Sequence, residues 1–173
     1  MKLDLTRYRR PSERFTNTFA AGEVGDDPGT YRVVGPVELA VDLAKDKDRF
    51  RLTGTVRAAL ELACSRCLEP FGLPVDAAFD VRYLPAASAS ADEDREVEDD
   101  DLETSYYRDD EIDLDELLRE QFYLALPMKP LCQDGCLGLC PQCGTNLNTG
   151  SCACVSSWDD PRLAALRALR HDA

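Results

Sequence analysis

Apolar and polar residues alternate in three runs of the first half of the chain, residues 37–43, 50–62 and 75–83. Because successive side chains of a strand point to opposite faces, this period of two predicts three β-strands, each with one buried face. The connecting residues 45–49 and 64–72 are short, which favours antiparallel neighbours over crossover units. The pattern therefore predicts an antiparallel meander that packs one face against a helix.

A helical period appears in residues 113–126. Asp113 and Glu116 have the spacing of an N-cap and its N3 partner, and Pro127 ends the helix. One apolar stripe along this helix suits packing on the sheet: Leu114, Leu117, Leu118, Phe122 and Ala125. A second helix is predicted to begin at Asp160. The predicted fold class is α+β, an antiparallel β-meander packed with one or two helices and followed by a small Cys-rich, zinc-binding C-terminal segment.

Charge divides the chain more sharply than its hydropathy does. The net charge is −13, and residues 92–120 hold 16 of the 33 acids but 3 of the 20 bases. We expect one domain made of a sheet region (1–84), an acidic flexible linker (85–110) and a helical and Cys-rich region (111–173). The acidic residues are interpreted either as a tail that contacts a partner or shields against RNA, or as a solvated spacer. Because the remaining charges balance, an RNA partner is not excluded.

Eight cysteines form four close pairs, at 64 and 67, 132 and 136, 140 and 143, and 152 and 154. The run Cys140-Pro-Gln-Cys143-Gly144 has the spacing of a zinc knuckle, in which two thiolates face one ion across a tight turn. The glycine can take the left-handed conformation that such a turn requires. Eight thiols in four pairs predict two tetrahedral zinc sites with four cysteines each.

The assignment of pairs to sites rests on the segment between Cys143 and Cys152, which contains the reversal Asn-Thr-Gly. A hairpin there predicts one site of Cys140, Cys143, Cys152 and Cys154. The second site would then use the other four cysteines: Cys64, Cys67, Cys132 and Cys136. The competing assignment replaces the Cys152 and Cys154 half of the first site with Cys132 or Cys136.

The N-terminus lacks a signal-like apolar run, and no stretch has the length of a membrane helix, so we expect a cytoplasmic protein without a membrane partner. In a reducing compartment clustered cysteines favour metal binding, whereas in a secreted chain they would form four disulfides.

A redox role for Cys64 and Cys67 is disfavoured because Pro70 blocks the helix that such thiols need. A catalytic zinc would need an open ligand position, and no enzyme motif is found, so we expect neither an enzyme nor a small-molecule substrate.

Several segments together resemble the YceD family of large-ribosomal-RNA-subunit accumulation proteins. They are Ala-Cys-Ser-Arg-Cys-Leu at 63–68, Leu-Ala-Leu-Pro at 124–127, Pro-Leu-Cys at 130–132, Gly-Leu-Cys-Pro-Gln-Cys-Gly-Thr-Asn-Leu-Asn at 138–148, and Asp-Pro-Arg-Leu at 160–163. The resemblance implies a cytoplasmic, metal-binding, non-enzymatic factor that supports synthesis, processing or stability of large-subunit (23S) ribosomal RNA.

The function predicted from these observations is a ribosome-assembly factor that binds large-subunit ribosomal RNA or a ribosomal protein. Phosphate contacts are predicted for four residues expected near the metal sites: Arg51, Arg57, Arg66 and Lys129. The arginines at 7, 9, 10 and 14 form a further basic arm. The alternative is a zinc-stapled protein–protein adaptor that makes no direct RNA contact.

Overall fold

Eight strands and one α-helix make up the fold in this computed structural model, which describes residues 1–8, 10–86 and 104–154. A 3₁₀ turn covers Leu5–Arg7, and helix α1 covers Leu114–Ala125. The strands are β1 (Lys2–Asp4), β2 (Ser12–Phe19), β3 (Arg32–Val33), β4 (Val37–Asp46), β5 (Arg49–Ala63), β6 (Pro70–Pro85), β7 (Thr104–Tyr107) and β8 (Glu111–Asp113). The main sheet has the order β2-β4-β5-β6-β7, with β3 also paired to β5, while β1 and β8 form a separate antiparallel pair.

The predicted meander is confirmed by β4, β5 and β6, which pair as antiparallel neighbours and extend beyond their sequence patterns. Every second residue of β4 from Val37 to Leu43 is buried, as alternation requires. At the middle of β5, Gly54 leaves no room for a side chain, because a Cβ there would lie 2.2 Å from the carbonyl oxygen of Ala40. At this point β5 therefore lies very close to β4, and β5 continues on to Cys64.

The sheet also contains strands that the alternation did not predict. The whole of β2 pairs with β4, although Phe19 is its only buried residue. The acidic linker predicted for 85–110 is wrong at its C-terminal end, because residues 104–107 form β7, parallel to β6, and residues 108–110 form the turn into β8. The linker also begins later than predicted, because Pro85 is the last residue of β6 and pairs with Tyr107, and residues 87–103 lie outside the described residues.

Helix α1 confirms the predicted helix and its capping. The Asp113 side chain accepts hydrogen bonds from the backbone N–H groups of Asp115 and Glu116, which satisfies free donors of the first turn. Four apolar side chains of the predicted stripe are buried in the main core, and Ala125 is half-buried against it. The α+β prediction is therefore confirmed. The second helix, predicted from Asp160, lies outside the described residues.

No helix in the described part of the chain combines the length and the apolar character that crossing a membrane would require.

Candidate metal centres

All eight cysteine sulfurs gather in two sets of four, and within each set the sulfurs lie within 4.8 Å of one another. We call the set that joins β5 to the C-terminal segment the clamp centre: Cys64, Cys67, Cys132 and Cys136. We call the other set the hairpin centre: Cys140, Cys143, Cys152 and Cys154. These are the groupings predicted from the sequence, and the competing assignment is not the arrangement found.

The sulfurs of the clamp centre have the spacing of a tetrahedral site. Sγ of Cys64 lies 3.7 Å from Sγ of Cys136, and Sγ of Cys67 lies 3.7 Å from Sγ of Cys132. Four sulfurs held about 2.3 Å from one tetrahedral ion would be about 3.8 Å apart. All eight cysteines are free thiols, and these separations are far beyond the roughly 2.05 Å of a disulfide bond. The donor set therefore fits a closed structural metal site.

The same five-residue turn presents the first two sulfurs in both centres. The backbone N–H of Leu68 donates to the carbonyl of Cys64 at 2.9 Å, and the N–H of Gly144 donates to the carbonyl of Cys140 at 2.9 Å. Leu68 and Gly144 both take the left-handed conformation, with φ of 62° and 74°. The turn reverses the chain so that both sulfurs of each pair face inward. Leu68 thus occupies a position at which the second knuckle has the usual glycine.

A short hairpin completes the hairpin centre. The N–H of Cys140 donates to the carbonyl of Thr145 at 2.8 Å, and Leu139 bridges to Asn146. A second turn follows, in which the N–H of Gly150 donates to the carbonyl of Asn146 at 3.0 Å. These two turns return the chain, so that Cys152 and Cys154 reach the knuckle. The Cys-x-Cys half is therefore positioned by backbone hydrogen bonds rather than by a large apolar core.

The clamp centre ties the end of β5 to the segment after α1. The N–H of Ser65 donates to the carbonyl of Pro130 at 2.8 Å, which holds the two chain segments together beside the sulfurs. Cys64, Cys67 and Cys136 are buried in a small apolar cluster, whereas Cys132 is exposed. An ion bound here would add four metal–sulfur bonds to a junction that has few apolar side chains.

Asn148 links the two centres, and the sequence analysis did not identify it. Its Nδ2 donates to Sγ of Cys136 at 3.3 Å, and its Oδ1 accepts from the N–H of Leu137 at 2.8 Å. Asn148 lies in the loop of the hairpin centre, yet it contacts a sulfur of the clamp centre. A second contact runs from the N–H of Leu139 to the carbonyl of Arg66 at 3.1 Å. The two centres are therefore packed together as one unit.

Hydrogen bonds and burial give the thiols of each centre unequal acidities. The backbone N–H of Cys67 lowers the pKa of Cys64 to about 6, and the hydroxyl of Thr145 lowers the pKa of Cys143 to about 6. Burial raises the pKa of Cys132 to about 12, and a hydrogen bond with Cys143 raises the pKa of Cys154 to about 12. The backbone N–H of Cys143 lowers the pKa of Cys140 as well, so each centre offers at least one thiol that ionises readily, and the thiols with a raised pKa must release their protons to bind a metal.

The four residues predicted to contact RNA are spread along the molecule. Arg66 donates to the carbonyl of Cys136 at 2.8 Å, so it lies at the clamp centre. Lys129 precedes Pro130 and lies at the same junction. Arg57 bonds Asp76 at 3.0 Å within the sheet.

Arg57 lies in the middle of β5, roughly 23 Å of strand before Cys64, and the fourth candidate, Arg51, departs further from the expectation that all four lie near the metal sites. Arg51 bonds Asp80 at 2.7 Å near the start of β5, whereas Cys64 follows the end of that strand. At roughly 3.3 Å per residue, about 40 Å of strand separates the two. RNA contact by any of the four residues stays a prediction.

Several known proteins are similar to this chain in sequence. The chain is 31% identical over 162 residues to "Large ribosomal RNA subunit accumulation protein YCED homolog 1, chloroplastic" of Zea mays, covering 78% of this chain and 55% of the relative. It is 29% identical over 156 residues to the protein of the same name in Arabidopsis thaliana, covering 78% and 49%. An uncharacterised protein of Mycobacterium tuberculosis is 38% identical over 151 residues, covering 85% and 70%.

The chain spans about half the length of the plant relatives that it matches. No solved structure matches it. The family model described as "Large ribosomal RNA subunit accumulation protein YceD" matches residues 52–170, which include both candidate metal centres. The chain therefore belongs to the YceD family, as its cysteine-bearing segments predict.

Proposed function

We propose that this protein is a non-enzymatic, zinc-dependent binding factor of the cytoplasm that supports the accumulation of large-subunit ribosomal RNA. Membership of the YceD family and the names of the two plant relatives support the link to this RNA. The zinc dependence in this proposal rests on one observation, the tetrahedral spacing of sulfurs in the clamp centre, where two sulfur–sulfur distances are 3.7 Å.

Zinc is the metal that suits both centres best. Four thiolates in a closed tetrahedron are the usual ligands of structural zinc, and soft sulfur donors disfavour magnesium and calcium. A set of four protein ligands leaves no position for a water or a substrate, which argues for a structural role rather than a catalytic one. The metal would hold the C-terminal segment on the sheet, because that segment has little apolar surface of its own.

Direct RNA contact would use the end of the molecule that carries the clamp centre. Arg66 and Lys129 both lie there, and Arg66 is fixed by its hydrogen bond to the carbonyl of Cys136. A guanidinium held in this way loses less side-chain entropy on binding a phosphate than a free one does. We therefore place the RNA-binding surface at the clamp centre and not along β5.

A protein adaptor is the second candidate, and the pairing of the sheet arginines favours it. Arg51 and Arg57 each bond a carboxylate of the neighbouring strand, Asp80 and Asp76. A paired arginine must give up or share this partner to bind a phosphate. On this account the protein would contact a ribosomal protein, and the metal would only stabilise the fold.

Binding to a large-subunit RNA fragment at several salt concentrations separates the two candidates. An RNA-binding surface predicts that the logarithm of affinity falls with the logarithm of salt, with a slope of about −0.7 to −0.9 for each phosphate neutralised. Arg66→Ala should then reduce this slope by about one, whereas Arg51→Ala should leave it unchanged. A weak affinity for the RNA fragment that neither substitution changes would favour the adaptor.

The cellular role is tested in a strain that lacks its own YceD-family protein. We expect a lowered ratio of large-subunit to small-subunit RNA, restored by this chain and by the control variant Ser65→Ala. Cys64→Ser removes a sulfur of the clamp centre and should fail to restore the ratio. A normal ratio in the deletion strain would refute the link to ribosomal RNA, and rescue by Cys64→Ser would refute the need for the metal.

A further inference from the structure

An acidic cavity of about 530 Å³ lies between β1, β6, β7, β8 and the first turns of α1. Two cationic groups, Lys2 and Arg108, contribute to its lining. Five carboxylates also line it: Asp109, Glu111, Asp113, Glu116 and Glu120. The cavity therefore carries three carboxylates in excess, on a chain that is itself strongly acidic.

Two of these carboxylates have an internal role, and two others do not. Glu111 is paired with Lys2 at 2.6 Å, and Asp113 caps α1. Glu116 and Glu120 lie one helical turn apart on α1, and neither side chain forms an ion pair within the described ranges. Like charges at this spacing destabilise a helix. Burial, with the nearby charge of Glu116, raises the pKa of Glu120. The helix therefore holds two uncompensated acids at the cavity.

A tyrosine forms part of the wall of this cavity. Tyr83 lines the cavity and is only 6% exposed, and its hydroxyl has no hydrogen-bond partner among the residues the structure describes. The rest of the side chain is packed in the core, so this hydroxyl is available to a ligand or to a water in the cavity. Burial raises the pKa of Tyr83, and the charges of Glu120, Glu116 and Asp113 add to the effect, so this hydroxyl is neutral and able to accept a hydrogen bond.

A second tyrosine, Tyr106, lines the same cavity and is 52% exposed. Aromatic faces attract guanidinium and ammonium groups, and carboxylates bond them strongly. Carboxylates, an accessible ring and a free hydroxyl together form the environment in which a buried arginine or lysine is usually found.

We propose that this cavity binds an arginine or lysine side chain of a basic peptide segment in a protein partner. The guanidinium or ammonium group would lie between Glu116 and Glu120, against the Tyr83 hydroxyl and the ring of Tyr106. The site goes beyond the proposed function, because it uses neither metal centre. RNA does not suit it, since phosphate would be repelled by the carboxylates. A hard divalent cation would not use the aromatic rings, which favours the peptide cation.

The test is fluorescence anisotropy of the full chain with a short labelled peptide of alternating arginine and glycine. The same peptide with citrulline in place of arginine keeps the shape and removes the charge. We expect binding of the arginine peptide only, and about tenfold weaker binding for Glu116→Gln and for Glu120→Gln, the value of one charge-assisted hydrogen bond. Both variants should fold, because each removes a repulsion from α1.

Two controls separate a specific site from the general attraction of an acidic protein. Glu38→Gln removes one exposed charge from β4, outside the cavity, and should change the affinity less than twofold. Tyr83→Phe changes no charge, yet should weaken binding severalfold by removing the free hydroxyl. Absence of binding, equal losses in Glu38→Gln and Glu120→Gln, or an unchanged affinity in Tyr83→Phe would each overturn the proposal. Displacement of the peptide by magnesium at constant ionic strength would overturn it in favour of a cation site.

Discussion

Leu68 gives the sharpest test of how the clamp centre is built, because it takes a left-handed conformation that disfavours a branched side chain. Its φ is 62°, and it occupies the turn position that Gly144 occupies in the hairpin centre. A residue with a Cβ pays about 1–2 kcal/mol for this conformation. Leu68→Gly relieves that strain, but it also loses the packing of a side chain that is 65% exposed and adds freedom to the unfolded chain.

Leu137→Gly is the matched control for this change. Leu137 is 67% exposed and its φ is not positive, so the same substitution loses similar packing and adds the same unfolded-state freedom without relieving strain. The unfolding free energies of the two variants should therefore differ by the strain alone. We expect Leu68→Gly to be close to neutral and Leu137→Gly to lose about 1–2 kcal/mol more than Leu68→Gly.

Urea unfolding with saturating zinc measures this difference, and Gly144→Ala provides the reverse change. No atom lies within 4 Å of a Cβ added at Gly144, so its cost is conformational. That cost is the strain less the stabilisation that comes from the lower entropy of the unfolded chain, about 1 kcal/mol net. Equal losses in Leu68→Gly and Leu137→Gly, or a neutral Gly144→Ala, would refute the equivalence of the two turns.

Further predictions follow from the contacts of the sheet and of the two centres. Asn148→Ala should lower the zinc affinity of the clamp centre about tenfold or more in a chelator competition, because it removes the donor to Sγ of Cys136, and an unchanged affinity would contradict this. Gly54→Ala should lower the urea midpoint by the equivalent of about 3 kcal/mol, since its Cβ would lie 2.2 Å from a carbonyl oxygen. Gly72→Ala, where an added Cβ on β6 would meet no atom within 4 Å, should not lower the urea midpoint in this way. An equal fall in the midpoint for both variants would refute the packing argument.

The strands that the sequence predicted lie in the middle of the sheet and bury apolar side chains on one face over part or most of their length. In β4 and β5 the alternation of the letters reproduces the alternation of burial. By contrast, β2 lies at the edge of the sheet and buries only Phe19, so no period of two marks it. Strands β7 and β8 were not predicted, because acidic residues surround them in the sequence, although Tyr107 and Ile112 are buried there. Edge strands held by backbone pairing carry little side-chain signal.

The two four-cysteine groups were largely predictable because the chemistry of metal ligands restricts both residue type and spacing. The pairs and their grouping followed from turn signals within a short segment. Asn148 was not predictable, because its contact with Cys136 depends on how the two centres pack. Arg51 was misplaced for a related reason: a strand of 15 residues carries its two ends far apart.

The metal content of the purified protein tests the central claim most directly. Elemental analysis of the intact chain should give two zinc ions, and Cys64→Ser and Cys140→Ser should each retain one, because each removes a sulfur from a different centre. X-ray absorption should report four sulfurs at about 2.3 Å. One ion or none in the unaltered chain, or two ions retained in Cys64→Ser, would contradict the account of two closed four-cysteine centres.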